Sequence, residues 1–233
     1  MPQYLAEIKD NNFVLDAQEA RHLKVARVRA GEQINLFNGK GKKYLGLLEK
    51  ADGKEACGKI LEELPCILPA KKITLCFCAI SRPATEELLD MCAQAGVFAL
   101  RPVISKRSDA ELLKKWDSKK ERWRQILTAA AKQCMTPTIP QLYPPSALGQ
   151  ALKEHQPSIF CYEREDKLQI TQALKDFKDI KEFAVFIGPE GGFTEEEAAL
   201  ALKYKAVCAG LGVNILRAQT AALAAVWAGL NIK

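Results

Sequence analysis

Two stretches of this chain carry residue types suited to holding a small ligand against bare backbone. The first is 188–192, Gly188-Pro189-Glu190-Gly191-Gly192, which follows the apolar run FAVFI and precedes Thr194. The second is 211–217, Leu211-Gly212-Val213-Asn214-Ile215-Leu216-Arg217, between AVCAG and the alanine-rich AQTAALAAVWAGL. Glycine has no Cβ, so backbone N–H and C=O groups can approach a ligand closely there. Freed from a sheet, such groups can read a ring edge or a carboxylate. Taken alone, 188–192 reads as a tight strand-to-helix turn. Its spacing does not match G-x-G-x-x-G, and no G-K-[ST] follows, which argues against dinucleotide binding and nucleotide hydrolysis. The two histidines, His22 and His155, stand outside turns of catalytic type, so no Ser-His-acid set can be assembled. So few histidines also disfavour a zinc site.

Both glycine loops need strands and helices to aim them, and the pattern supplies these. ITLCFCAI is a continuous apolar run, as expected of a strand buried on both faces. ATEELLDMCAQAG reads as a helix ended by Gly96, VFALRPVI as a strand, and 118–134 as helical. SIFCYE and FAVFIG come next as strands, with a helical stretch near 170–177 between them. TEEEAALALKY reads as a helix capped by Thr194, with Glu197 closing the capping box. AVCAGLG is a further strand, and AQTAALAAVWAGL the last helix. Strands alternating with helices predict an α/β fold with a mostly parallel sheet, whose ligands bind at the carboxyl ends of the strands. That is where 188–192 and 211–217 fall.

The first third reads differently. Short strands at 2–8 and 12–15 flank a turn. Asp16 opens D-A-Q-E, a capping-box pattern with Glu19, and the helix is expected to reach about Val28. QINLFN, KYLGLLEK and 57–64 read as strands. Pro65 and Pro69 bracket a linker. The expected domains are therefore 1–68, small and strand-rich, and 71–233, with the parallel sheet.

The chain has 233 residues, of which 48% are hydrophobic and 27% charged, an ordinary globular balance. Its net charge of +6 is unevenly spread. From Arg21 to Lys43 there are seven basic residues, including Arg21, Lys24, Arg27 and Arg29, against one acid, Glu32. From Arg101 to Arg124 there are nine against four. Such patches suit a polyanion such as nucleic acid, although each could equally be a solvated face. The 8 cysteines form no C-x-x-C pair and sit mostly in apolar runs, as small reduced hydrophobes. The N-terminus has no apolar signal core, and no stretch reaches 18 apolar residues. A cytoplasmic protein is expected, without membrane or metal.

IGPEGGFTEEE and LGVNILRAQTAALAAV together resemble the small-subunit ribosomal RNA (uracil-N3) methyltransferase family, RsmE, of the SPOUT class. EARHLKVARVRAGEQINLFNGKG resembles the family's N-terminal RNA-binding segment. Ser81 in AISRP and the run AAKQCMTPTIP match further landmarks, so the resemblance covers essentially the whole chain. It implies a PUA-like β-barrel over 1–68 that binds RNA through Arg21, Lys24, Arg27 and Arg29. It also implies a SPOUT domain over 71–233 whose last helix threads a loop as a trefoil knot. S-adenosylmethionine is the implied cofactor, held by Cys161, Tyr162, Glu163, Gly188, Pro189, Glu190, Gly191, Gly192, Leu211, Gly212, Ile215 and Leu216. The implied reaction methylates uracil N3 in 16S ribosomal RNA. Arg217 is the candidate for stabilising charge on the base. The implied partners are ribosomal RNA in the small subunit and a second copy of the chain.

The chain departs from the family's pattern at Met91, Gln94, Lys132, Thr136 and Gln219, which replace carboxylates and an arginine among other polar residues. Other readings therefore stand beside this one: a knotted methyltransferase with another RNA target, or a non-catalytic RNA-binding or ribosome-assembly protein. On the leading reading, a side chain in place of Gly191 is expected to enter the cofactor space.

Overall fold

The computed structural model of the protein describes residues 2–108, 111 and 116–232. The chain divides into two compact units. One comprises Met1–Leu68 and Thr128–Ile139, the other Pro69–Leu127 and Pro140–Lys233. The segment 128–139 thus clusters with the N-terminal residues, although the sequence pattern groups it with the residues after Lys71.

The first unit is built on six strands: β1 (Gln3–Leu5), β2 (Glu7–Lys9), β3 (Asn12–Leu15), β4 (Gln33–Phe37), β5 (Lys43–Ala51) and β6 (Ala56–Leu64). Their order is β1-β4-β5-β6-β3-β2. The β1–β4 pair is parallel and the others antiparallel. The two edge strands, β1 and β2, are consecutive in the chain with Ala6 between them, so the sheet must curl until its edges approach. Alternation of buried and exposed residues along β3 and β5 points one face inward. Phe13, Leu15, Leu36 and Leu48 fill that inside together with Ala20 and Leu23 of the helix Ala17–Val25.

Asp16 caps this helix, accepting from the N–H groups of Gln18 and Glu19, each at 2.9 Å. The expected box is not closed by Glu19, whose carboxylate turns inward instead. Glu19 is 3% exposed, and Lys132 Nζ donates to both its oxygens at 2.7 and 2.8 Å. The helix also stops at Val25, short of Val28, because Arg27 adopts a left-handed φ of 60°. Gln3 Nε2 donates to the carbonyls of Ala131 and Thr136 at 3.0 and 2.8 Å. These side-chain bonds tie 128–139 to the curled sheet.

The second unit holds β7 (Lys72–Cys78), β8 (Ala99–Ile104), β9 (Gln141–Leu142), β10 (Ser146–Ala147), β11 (Ser158–Cys161), β12 (Glu182–Ile187) and β13 (Val207–Ala209). The order is β10-β8-β7-β12-β11-β13, with β9 also pairing β8, and every pair is parallel. The strands β7, β11 and β12 are buried almost throughout. On one face Cys76, Phe160 and Phe186 meet Leu152 and Ala201 of the helices Leu148–Glu154 and Glu195–Lys203. On the other, the last helix, Ala218–Leu230, lies so close that a Cβ on Gly229 would come within 2.6 Å of Ile73. The helix Arg82–Ala95 ends at Gly96 with φ 93°. The helix Trp116–Gln133 runs across the division between units. The short strands β9 and β10 and the helix Leu148–Glu154 have no counterpart in the sequence reading. They lie in and beside a proline-rich stretch without periodicity.

Replacing Lys132 by Met strands a buried carboxylate in the first unit. The expected cost is about 3 kcal/mol, as for removing one partner of a buried pair. Urea unfolding checks it: Lys132→Met should lose most of that stability, and Glu19→Leu/Lys132→Met should recover much of it.

Candidate active site

Parallel pairing sets the site. Cys161 is in register with Ile187 of β12 and with Ala209 of β13. The residues that leave these strands at their carboxyl ends, 162–163, 188–192 and 210–217, therefore emerge side by side. They enclose a cavity of about 660 Å³, within the roughly 300–1000 Å³ usual for small-ligand sites. Cys161, Tyr162, Glu163, Gly188, Pro189, Glu190, Gly191, Gly192, Leu211, Gly212, Ile215, Leu216 and Arg217 all line it. The two glycine loops, far apart in sequence, thus meet in one space.

The same cavity is lined by Ser81, Ala84, Asn214 and Gln219, which the sequence reading did not assign to it. Ser81 follows β7, the neighbour of β12, and its place at a strand's carboxyl end was the signal available. Asn214 lies within the loop already singled out. Gln219 opens the last helix, and its Nε2 donates to Glu87 Oε2 of the helix Arg82–Ala95 at 3.1 Å.

The loop 188–192 is held from several sides. Glu197 closes the predicted capping box: its Oε2 accepts from Thr194 N–H at 2.8 Å, and Thr194 Oγ1 accepts from Glu197 N–H at 3.3 Å. The other oxygen of Glu197 accepts from Lys106 N–H at 2.8 Å, joining the loop after β8 to this helix start. Arg107 donates to the Gly191 carbonyl at 2.6 Å. A Cβ on Gly191 would meet Arg107 Cδ at 3.3 Å. A side chain at 191 therefore presses on the flexible Arg107 side chain, at a position that also lines the cavity. Gly192 is the tighter position. Its φ is 66°, and a Cβ there would collide with the Glu163 carboxylate, another cavity-lining group.

Arg217 is exposed at the start of the last helix and makes no ion pair or side-chain hydrogen bond among the described residues. Its guanidinium is available to a bound anion or polar ring. Cys161 is the reverse case. Burial pushes its thiol up to about 12, so it offers the cavity a neutral S–H rather than a nucleophile. No group of three or more His, Cys, Asp and Glu side chains among the described residues could hold a metal ion. No helix among them is long and apolar enough to cross a membrane.

The two basic patches differ once their partners are known. In the second, Arg101 is turned inward to His155, the Pro144 carbonyl and Glu154. Burial, then the Arg101 charge, hold His155 below its ordinary pKa. Lys106 pairs with Glu196, Lys120 with Asp117 and Arg122 with Glu86. Lys114 and Lys115 lie outside the described residues. Most of the described cations in that patch are spent on the protein itself. In the first patch Arg21, Lys24, Arg27 and Arg29 are all exposed and have no side-chain partner among the described residues. That face is free to meet phosphate.

Residues 68–228 match the family described as the RNA methyltransferase domain, and residues 15–61 match the RNA methyltransferase PUA domain. The chain belongs to this RNA methyltransferase family. Its fold is the SPOUT-type α/β arrangement with a PUA-like unit at the N-terminus. It is similar to a solved ribosomal RNA small subunit methyltransferase E from Neisseria gonorrhoeae bound to S-adenosyl methionine, with 31% identity, TM-score 0.84, and 97% of this chain and 95% of that chain covered. A methyltransferase from Legionella pneumophila in complex with the same cofactor is 27% identical at TM-score 0.82, with 97% and 94% covered. Ribosomal RNA small subunit methyltransferase E of Aquifex aeolicus is 28% identical over 230 residues, 96% of each chain.

Gly192→Val should weaken S-adenosylmethionine binding at least about tenfold, because a β-branched residue is strained at this φ and displaces Glu163. Gly191→Ala should cost much less. Calorimetry on both variants, with thermal melts to verify folding, checks the ranking.

Proposed function

We propose that this chain transfers a methyl group from S-adenosylmethionine to N3 of a uracil in 16S ribosomal RNA. The observation carrying this reading is the convergence of 161–163, 188–192 and 211–217 on one cavity with an unpaired guanidinium at its rim. The cavity's size, its glycine-lined backbone and its mixture of apolar and carboxylate groups fit a nucleoside joined to an amino acid. Cys161, Tyr162, Glu163, the glycine loop and Leu211, Gly212, Ile215 and Leu216 are the residues that would hold it. Bound there, S-adenosylmethionine supplies a methyl group made electrophilic by its sulfonium.

Uracil N3 is a weakly acidic imide nitrogen and attacks only as its proton is lost. Negative charge then spreads onto O2 and O4. Arg217, with donors and no side-chain partner among the described residues, would stabilise that charge. The remaining task is alignment of the nitrogen with the methyl group, which rigid loops on a buried sheet can provide. The free basic face of the first unit, Arg21, Lys24, Arg27 and Arg29, would hold the RNA by its phosphates. The substrate on this reading is RNA of the small ribosomal subunit, which places the enzyme in the cytoplasm.

The last helix supports pairing with a second copy. Beyond Gln219 and Thr220 it is apolar, yet Trp227 is 60% exposed. A large exposed aromatic on such a helix suits a subunit interface. The threaded topology implied for this helix belongs to the same proposal.

Incubation with labelled S-adenosylmethionine and small subunits from cells lacking the protein should give N3-methyluridine on nucleoside analysis. Heat of cofactor binding without methyl transfer would instead favour another RNA target. Absence of cofactor binding would favour a non-catalytic RNA-binding role. Arg217→Lys should lower kcat about a hundredfold, with cofactor affinity unchanged. Arg21→Ala/Lys24→Ala/Arg27→Ala should weaken RNA binding and flatten its salt dependence. Filter binding at several salt concentrations measures both.

A further inference from the structure

Among the basic residues of the helix Ala17–Val25 sits a neutral side chain whose chemistry a neighbour dictates. Lys132 Nζ lies 2.8 Å from His22 Nδ1, besides its 2.7 and 2.8 Å bonds to Glu19. An ammonium has three N–H donors and no lone pair. It can therefore only donate to Nδ1, and its three donors are divided among Glu19 Oε1, Glu19 Oε2 and His22. Nδ1 must hold the lone pair, so the proton of the neutral imidazole resides on Nε2. Nε2 has no hydrogen-bond partner among the described residues, and the side chain is 46% exposed. It flanks Arg21 and Lys24, both exposed and unpaired. The surface at this point thus offers two cations and, beside them, one neutral and directional N–H.

We infer that His22 is a further RNA-contacting residue, its Nε2–H donating to a phosphate oxygen, and that Lys132 is the positioning residue that fixes its tautomer. The inference rests on the reading that this helix docks RNA. A tautomer set by a partly buried ammonium is fixed before RNA arrives, so the donor is pre-aimed.

The test uses the full chain at pH 8 and a fragment of small-subunit ribosomal RNA. Affinity is measured by fluorescence anisotropy across salt concentrations. His22→Ala should weaken binding about tenfold, the effect of losing one hydrogen bond to a charged group. The salt slope should not change, because no cation is removed. Arg21→Ala should instead make the slope shallower by about 0.7–0.9. His22→Gln puts an amide nitrogen near the place of Nε2 and should retain affinity within about twofold. His22→Asn puts an oxygen toward Lys132 without the outward donor and should bind as weakly as Ala. The inference is overturned if Asn retains affinity and Gln loses it, which marks a purely structural histidine, or if His22→Ala binds like the wild type. Separately, a long-range nitrogen–proton spectrum of the RNA-free protein should show a protonated Nε2 and a bare Nδ1, and the opposite pattern sinks the tautomer argument. If Arg21→Ala and Lys24→Ala leave both affinity and slope unchanged, it is the docking reading that fails, and the inference with it.

Discussion

Register between parallel strands is the constraint from which the site arises. Because β11, β12 and β13 run the same way and pair Cys161 with both Ile187 and Ala209, their chains leave the sheet at one level. An antiparallel neighbour would have sent one of the loops to the opposite end. β7 pairs β12 in the same sense, through Phe77 and Ile187, and so delivers Ser81 to the same rim. The fixing force is burial: β7, β11 and β12 are apolar on both faces. A slip by one residue would exchange the sets of side chains packed against the two helix layers. The precision of the loops is inherited from strands buried on both faces.

Much of this was legible in the sequence, and the particular successes and failures have physical causes. Continuous apolar runs located β7, β11 and β12, because a strand buried on both faces cannot be polar. Thr194 and Glu197 announced a capping box, and both halves of it form. Asp16 and Glu19 show the same spacing, yet Glu19 goes to Lys132. A local motif competes with any distant cation, and nothing within four residues of Glu19 reveals a lysine more than a hundred positions away. Nor could periodicity assign 128–139 to the first unit. The helix Trp116–Gln133 reads as one continuous pattern, and the division falls within it. The direction of each glycine's missing side chain was equally hidden: it depends on φ and on what lies opposite, hence the contrast between Gly191 and Gly192.

Charge composition was the least reliable guide, and partner geometry explains why. Counted along the chain, the two basic stretches look alike. In the fold, the second is largely consumed by carboxylates, a histidine and carbonyls, whereas Arg21, Lys24, Arg27 and Arg29 have no side-chain partner among the described residues. Exposed ion pairs contribute little to stability. They do cancel the local field that a polyanion would feel, so an unpaired patch of modest size outweighs a larger paired one for binding RNA.

Three of the positions at which the sequence is expected to depart from the family pattern show the same matching of donors to acceptors. Gln219 donates to Glu87, Gln94 donates to Asp90 at 2.8 Å, and Lys132 donates to Glu19. In each case the side chain donates to a carboxylate that faces it. An ionised carboxylate can only accept, so the amide nitrogen of Gln219 must face Glu87. Its oxygen is then the end of the amide left to accept a donor. Each of these three donors is thus answered by an acceptor. Of these residues Gln219 lines the cavity beside which Arg217 stands, and its amide is anchored to Glu87. An amide carbonyl is too weak a base to take the imide proton, so on the proposed chemistry Gln219 orients while the charge on the base is met by Arg217.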